Sequence, residues 1–360
     1  MQRSSNGTSA LDSTDWLQDL ELMHHWSKRT SHTQLGGGAH TEHVWGEFVP
    51  REAVKHRFLM HGVLAIASLH IASTAPTDAL KEKYLFVHDK HQATALESSR
   101  VIMANLNDDS AAALFAFSSI TSLSSISQAV IRAQSTPEPR RVSIDELCKC
   151  LALTRGVREI VAASIQALLQ SPMRALLTGY ELHCDVRVLL PGHIVDKISL
   201  LQRMLSERCD DKDQHAMCSN AVVSLQQIYR NIFFFLSKDC LGVGHIWRWT
   251  AMVDTGFIHL IQSCYQPALV ITSFFVICCQ FVRAEWFMQD WGRYSFEALS
   301  AGLSEEYQQY LAWPREQLAT DCADFRQGDA SIEYLNPDTV DDNPEKAVYR
   351  TMFPQNVPIP

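Results

Sequence analysis

The sequence predicts an all-α fold, a single large helical domain of about ten helices around a central apolar helix. Three observations point there. No stretch of the 360 residues sustains the two-residue apolar alternation of a half-buried strand. Turn-forming residues instead separate long segments whose apolar side chains recur at helical spacing. The most apolar segment, Ala268 to Val282, lies within a stretch from His245 to Trp313 that carries five of the eight tryptophans.

Residues 1–12 are rich in Ser, Asn and Gly and are expected to be disordered. A helical domain is expected over 13–319. It begins at Ser13-Thr14-Asp15, ahead of Trp16, Leu17, Leu20, Leu22 and Met23, and its first helix ends near Thr30. Gly36-Gly37-Gly38 marks a loop. Trp45 to Ala72 reads as one or two helices split near Pro50. Phe58 to Leu69 is apolar on nearly every side, so that part is buried. Asp78 to Ala104 is amphipathic, with Leu80, Tyr84, Val87, His91 and Ala95 on one face. Ser110 is the expected N-cap of an apolar helix from Ala111 to Ile131.

Ser135 to Arg141 reads as an exposed loop whose Arg140 and Arg141, with Lys149, form a small basic patch. Ile144 to Leu169 is expected to be a helix pair broken at Arg155-Gly156. Further helices are expected over Ile194 to Cys209 and Met217 to Leu236. Pro267 suits the first turn of the central helix, where its missing N–H costs nothing. Thr272, Ser273, Cys278, Cys279 and Gln280 interrupt that helix. It is too short and too polar for a membrane span of ~20 residues, so no span is expected. Ser304 to Leu318 is a last helix, interrupted at Trp313-Pro314. Residues 320–360 form an acidic, proline-containing tail.

With 46% hydrophobic and 20% charged residues the composition is that of a soluble globular chain. Acidic residues outnumber Lys and Arg 40 to 31, which speaks against direct nucleic-acid binding. The ten cysteines lack the C-x-x-C spacing of a zinc site and are expected to be buried free thiols. The polar N-terminus has no signal-peptide core, so the nucleus or cytoplasm is the expected location.

Two residue constellations could carry chemistry. Glu181 and Asp185, at i and i+4, would share a helix face beside His183 and Arg187. Carboxylates so placed could hold Mg²⁺ against a prenyl diphosphate, as in helical terpene cyclases. That would make the chain a terpene cyclase or an isomerase-type lyase. Asn220 and Ser224 fit a second metal motif of that kind, but Ile228 stands where a third ligand belongs. A solvated helix face is the competing reading. The second constellation is Trp247, Trp249, Met252, Phe257, Phe274, Phe275 and Phe281, which could line a pocket for a hydrophobic small molecule. The alternative is plain helix packing. His88 and His91, at i and i+3 in a histidine-rich N-terminal third, have no identifiable third metal ligand. No G-x-S-x-G elbow, H-E-x-x-H pair or Walker loop is present.

Five stretches in order resemble a known family. Leu20 to Trp26, His56 to His70, Ala113 to Ser119, Thr154-Arg155-Gly156-Val157-Arg158 and Pro267 to Arg293 look like the C-terminal regulatory domain of fungal zinc-cluster transcription factors of the sterol uptake control type. The resemblance covers roughly residues 15–318. It implies an all-helical domain that dimerises, holds a hydrophobic ligand such as a sterol or isoprenoid, and couples it to transcription. Members of that family carry a cluster of six cysteines upstream. Here the first cysteine is Cys148, so the chain is expected to lack its own DNA-reading element and to act through a DNA-binding partner. No cofactor is expected unless the Mg²⁺-dependent alternative holds.

Overall fold

The computed structural model describes residues 12–33, 41–178, 186–327 and 330–334. Four long helices form the first half: Asp12–Lys28, Arg57–Ser73, Asp78–Ala104 and Asp108–Gln134. Arg57–Ser73 is their hub and packs against the other three. It is apolar nearly all round, and Leu59, Val63, Ile66 and Leu69 are fully buried. Its close approach to Asp108–Gln134 is allowed by Gly62, where a Cβ would come within 2.8 Å of the Phe117 ring.

Ile144–Gln170 links the two halves, packing on Asp108–Gln134 on one side and on Val243–Met252 and Thr255–Gln262 on the other. Gly192–Arg208 and Lys212–Ser237 then flank Gln266–Val276, which also packs on Trp291–Ala301. Every residue from Pro267 to Val276 is buried, so the apolar helix expected at the centre is there. Polar side chains within it are satisfied locally. Thr272 donates to the Ala268 carbonyl at 2.7 Å and Ser273 to the Leu269 carbonyl at 2.9 Å.

The helix ends are set by recognisable caps. Thr77 accepts from the Leu80 N–H, and Asp211 accepts from the Gln214 N–H. Ser143 and Glu146 form a reciprocal capping box.

The sequence reading differs from the structure at several boundaries. The described residues form thirteen α-helices of seven or more residues, because short connectors cut segments that read as continuous. The α-form of the central helix stops at Val276, and Ile277–Val282 is wound as a 3₁₀ helix. Outside donors compete for its last carbonyls: Tyr229 Oη donates to Phe274 O at 2.9 Å and Cys322 Sγ to Ile277 O at 3.4 Å. Asn107, not Ser110, is the N-cap of Asp108–Gln134, and Ser110 completes its capping box from the third helical position. Ile144–Gln170 runs through Arg155-Gly156, and its one non-helical residue is Ser164. A helical glycine costs only about 1 kcal/mol, and packing on both sides outweighs that. The break in the earlier segment falls at the extended residue His56 rather than at Pro50, which sits in the first turn of Val49–Lys55.

A two-stranded antiparallel ribbon, Val186–Leu189 with Ser331–Tyr334, was not foreseen. Four residues per strand are too few for alternation to register. Beyond Thr320, the short helix Ala323–Gln327 packs Phe325 into the core. Among the described residues Asp108–Gln134 is the one helix long and apolar enough to cross a membrane by itself, and its apolar window is 78% buried inside the fold. That is how a core helix is placed.

Candidate functional site

A cavity of about 160 Å³ lies where Asp108–Gln134, Ile144–Gln170, Arg174–Thr178 and Val243–Met252 converge. The first supplies Phe115, Ser119, Ser122, Leu123 and Ile126, and the second Thr154, Val157 and Arg158. Leu176 and Leu177 close one end. Val243, Gly244, Trp247, Arg248 and Ala251 form the opposite wall, and Trp45 completes it. Thr154, Val157 and Arg158 are only half-buried, so the mouth lies on their side. Ser119 and Gly244 are half-buried as well, and the other lining residues are buried and mostly apolar.

The polar atoms in this lining are placed by the helix geometry. Thr154 Oγ1 donates to the Cys150 carbonyl at 2.9 Å, so the 2.5 Å bond it shares with Ser122 is donated by Ser122. Arg155 and Arg158, one turn apart, grip the C-terminal end of Val243–Met252. Arg158 Nη1 donates to Ala251 O at 3.0 Å, and Arg155 reaches Val253 O at 3.3 Å and Thr255 Oγ1 at 2.7 Å. Guanidinium groups belong there, because a helix C-terminus presents unsatisfied carbonyls and the negative end of the macrodipole. Arg248 is 7% exposed. The indole N–H groups of Trp45 and Trp247 are buried with no hydrogen-bond partner among the described residues. The indole N–H of Trp26, which does not line the cavity, is likewise buried without a partner among the described residues.

Comparison with known proteins points to one group. The chain is similar to fungal zinc-cluster transcription factors. A Zn(2)-C6 fungal-type transcription factor of Gibberella zeae is 20% identical over 324 residues, 86% of this chain and 63% of the relative. Sterol uptake control protein 2 of Candida albicans is 31% identical over 124 residues, 33% of this chain and 16% of the relative. The Saccharomyces cerevisiae protein of the same name is 26% identical over 113 residues, 31% of this chain and 12% of that protein. The chain thus spans under two thirds of the length of these relatives. No protein-family model matches it.

Of the seven apolar residues singled out in the sequence, Trp247 lines the cavity. The others pack elsewhere. Trp249 stacks on Phe275 at 4.3 Å, meets Phe257 edge-on at 5.8 Å, and donates its indole N–H to Ala221 O at 3.0 Å. Phe274 packs beside Trp313, and Phe281 meets Phe325 edge-on at 5.7 Å. Met252 is buried at the end of its helix. The structure therefore gathers Trp249, Phe257 and Phe275 into one ring cluster, and Trp247, which meets Phe275 edge-on at 6.1 Å and Trp291 at 5.0 Å, lies between that cluster and the cavity it lines. Leu123, Ile126, Arg158 and Arg248 were not singled out as site residues. Arg158 closes the Thr154 to Arg158 motif, which was the available signal.

Glu181, Asp185 and His183 lie outside the described residues. Asn220 is half-buried, Ser224 is buried and Ile228 is fully buried on Lys212–Ser237. No group of three or more His, Cys, Asp or Glu side chains among the described residues could hold a metal ion. The N-terminal histidines are used in packing. His88 Nδ1 bonds Ala65 O at 2.9 Å, His61 and His91 share a bond at 2.9 Å, and His70 stacks on Trp286 at 4.4 Å. Burial lowers the pKa of His70 to about 4. The nine described cysteines are free, and seven are buried. Burial raises the Cys150 thiol to about 11, so it stays protonated.

Proposed function

We propose that this chain is a regulatory helical domain of the fungal zinc-cluster type, which holds a small hydrophobic molecule between its helices and adjusts transcription accordingly. The similarity to the Gibberella factor over most of the chain supports the regulatory part. The observation that carries the ligand part is the cavity, an apolar chamber with convergent polar groups at the junction of four helices. Its position suits a sensor. A guest touching Asp108–Gln134, Ile144–Gln170 and Val243–Met252 together ties the two halves of the domain to one another. Occupancy would favour whichever helix arrangement binds the guest better.

Size narrows the guest. Pockets that enclose drug-sized ligands run to about 300–1,000 Å³, and this one holds about 160 Å³. It suits a small molecule, or the end of a longer one, better than a whole sterol. The domain would work in the nucleus, as a homodimer or beside a DNA-binding partner.

Extraction of the protein purified from its native host, with mass spectrometry of what co-purifies, tests the ligand part. One apolar species in near-stoichiometric amount is expected, and it should vanish in a Ser119→Trp variant that fills the chamber. A protein that carries nothing, or that carries the same molecule after the chamber is filled, contradicts it. Transcript profiling after gene deletion tests the regulatory part. A changed metabolite profile with unchanged transcripts would remove it.

A further inference from the structure

We infer that the outer face of Asp78–Ala104 pairs antiparallel with the same face of a second copy of this chain. The inference goes beyond the ligand-holding reading, gives the homodimer named above a face, and does not depend on the chamber.

Asp78–Ala104 is 27 residues long and packs chiefly on Arg57–Ser73. Tyr84, His88, His91 and Ala95 face inward and are buried. On the opposite side, alternate steps of three and four residues from Ala79 to Met103 trace one stripe, and every residue on it is exposed. That is the spacing of a coiled-coil seam. Phe86, Leu96 and Met103 stand on it at 72%, 42% and 53% exposure. Scattered apolar side chains on a surface are ordinary, whereas a row of them at seam spacing is how two helices are joined.

The charges on the stripe select the occupant. Glu82 lies four residues after Asp78, and Arg100 four residues before Ala104. When a second copy lies antiparallel with the two helices in full overlap, Glu82 meets the partner's Arg100, and Arg100 meets the partner's Glu82. The same register sets Phe86 against the partner's Leu96 and Ala79 against the partner's Met103. Asp89, which accepts from Gln128 at 3.2 Å, faces only the small side chain of the partner's Ala93. One surface thus complements itself about a two-fold axis, a property that an unrelated partner would not require. A parallel pair would set Glu82 against the partner's Glu82 and Arg100 against the partner's Arg100, which repel. A slip by one heptad leaves Glu82 opposite no cation and shortens the overlap. In full overlap the contact is about 40 Å long. Its charged positions make the seam part-polar, so a reversible dimer with a dissociation constant on the order of micromolar is expected.

Sedimentation velocity of the full chain, at concentrations from about 1 to about 100 µM, tests the pairing. The unaltered chain should pass from monomer to dimer. Glu82→Arg and Arg100→Glu should each raise the dissociation constant about ten-fold or more, because each sets like charges together twice. Combined in one chain they restore opposite charges, and the dimer should return. Phe86→Lys should abolish it. All these side chains are exposed, so circular dichroism should show every variant folded. A chain that stays monomeric throughout overturns the inference and the homodimer together, and leaves the chamber untouched. A dimer that Phe86→Lys and the single charge reversals leave unchanged overturns this face while the homodimer stands. A double variant that stays dissociated overturns the antiparallel pairing.

Discussion

Trp247 and Trp249 are two residues apart on one short helix, yet they belong to different kinds of surroundings. Trp249 is fully buried, stacked on Phe275, edge-on to Phe257, and bonded through its indole N–H to Ala221. Nothing there is left to satisfy. Trp247 is also buried, but it walls a chamber, and its N–H finds no partner among the described residues. A dense group of aromatic rings marks packing. A candidate site is marked where such side chains border a space that no side chain fills.

The contrast can be broken most sharply by truncating each tryptophan. Trp249→Ala should fall at the upper end of about 3–5 kcal/mol in urea unfolding, because the hole opens in a closed cluster. Trp247→Ala should fall at the lower end, because its ring already borders empty space. Equal losses would mean that the chamber is packed as tightly as the core.

Next in size is Gly292→Ala. A Cβ there would meet the Val276 carbonyl at 2.6 Å, and backbone cannot move aside as a side chain can. A loss of about 1–3 kcal/mol is expected. The same substitution at Gly156, which has nothing within 4 Å, should stabilise by up to about 1 kcal/mol through helix propensity. Asn107→Ala removes the cap of Asp108–Gln134, a main wall of the chamber, and should cost about 1 kcal/mol. Ser119→Leu points the other way. It should change stability by less than about 1 kcal/mol while reducing ligand uptake, since it fills space without opening any.

The N-terminal helices add a third environment. Burial depresses the pKa of His70 to about 4 and also lowers those of His25, His61 and His88. The unfolded chain therefore binds more protons than the fold below the ordinary histidine value of 6.5. Stability should be fully present above that value and fall as pH drops from 6.5 toward 4. Thermal melts across that window check it, and His70→Asn should flatten the slope.

Much of the fold was legible because helices announce themselves locally. The Asp78–Ala104 helix has the bounds that its periodicity suggests, and Pro267 opens the central helix. What was hidden depends on partners distant in sequence. Nothing near Val276 tells that Tyr229 and Cys322 will take its neighbours' carbonyls. Nothing in Val186–Leu189 tells that residues 331–334 will pair with it. The candidate site divides the same way. Trp247 was legible as a large apolar side chain in an aromatic stretch. Arg158 had only the motif it closes as a signal, and Arg248 had none, because a single arginine reads as surface charge until the fold buries it.

The most direct test lies in the eight tryptophans themselves. With ¹⁵N-labelled indoles, each N–H resonance can be assigned by single Trp→Phe substitutions and followed while benzene, a guest of about the chamber's volume, is added. The indoles of Trp45 and Trp247 should move and saturate together, and that of Trp249 should stay in place. Movement of Trp249 while Trp45 and Trp247 remain still would place the ligand in the ring cluster and contradict the assignment of the chamber.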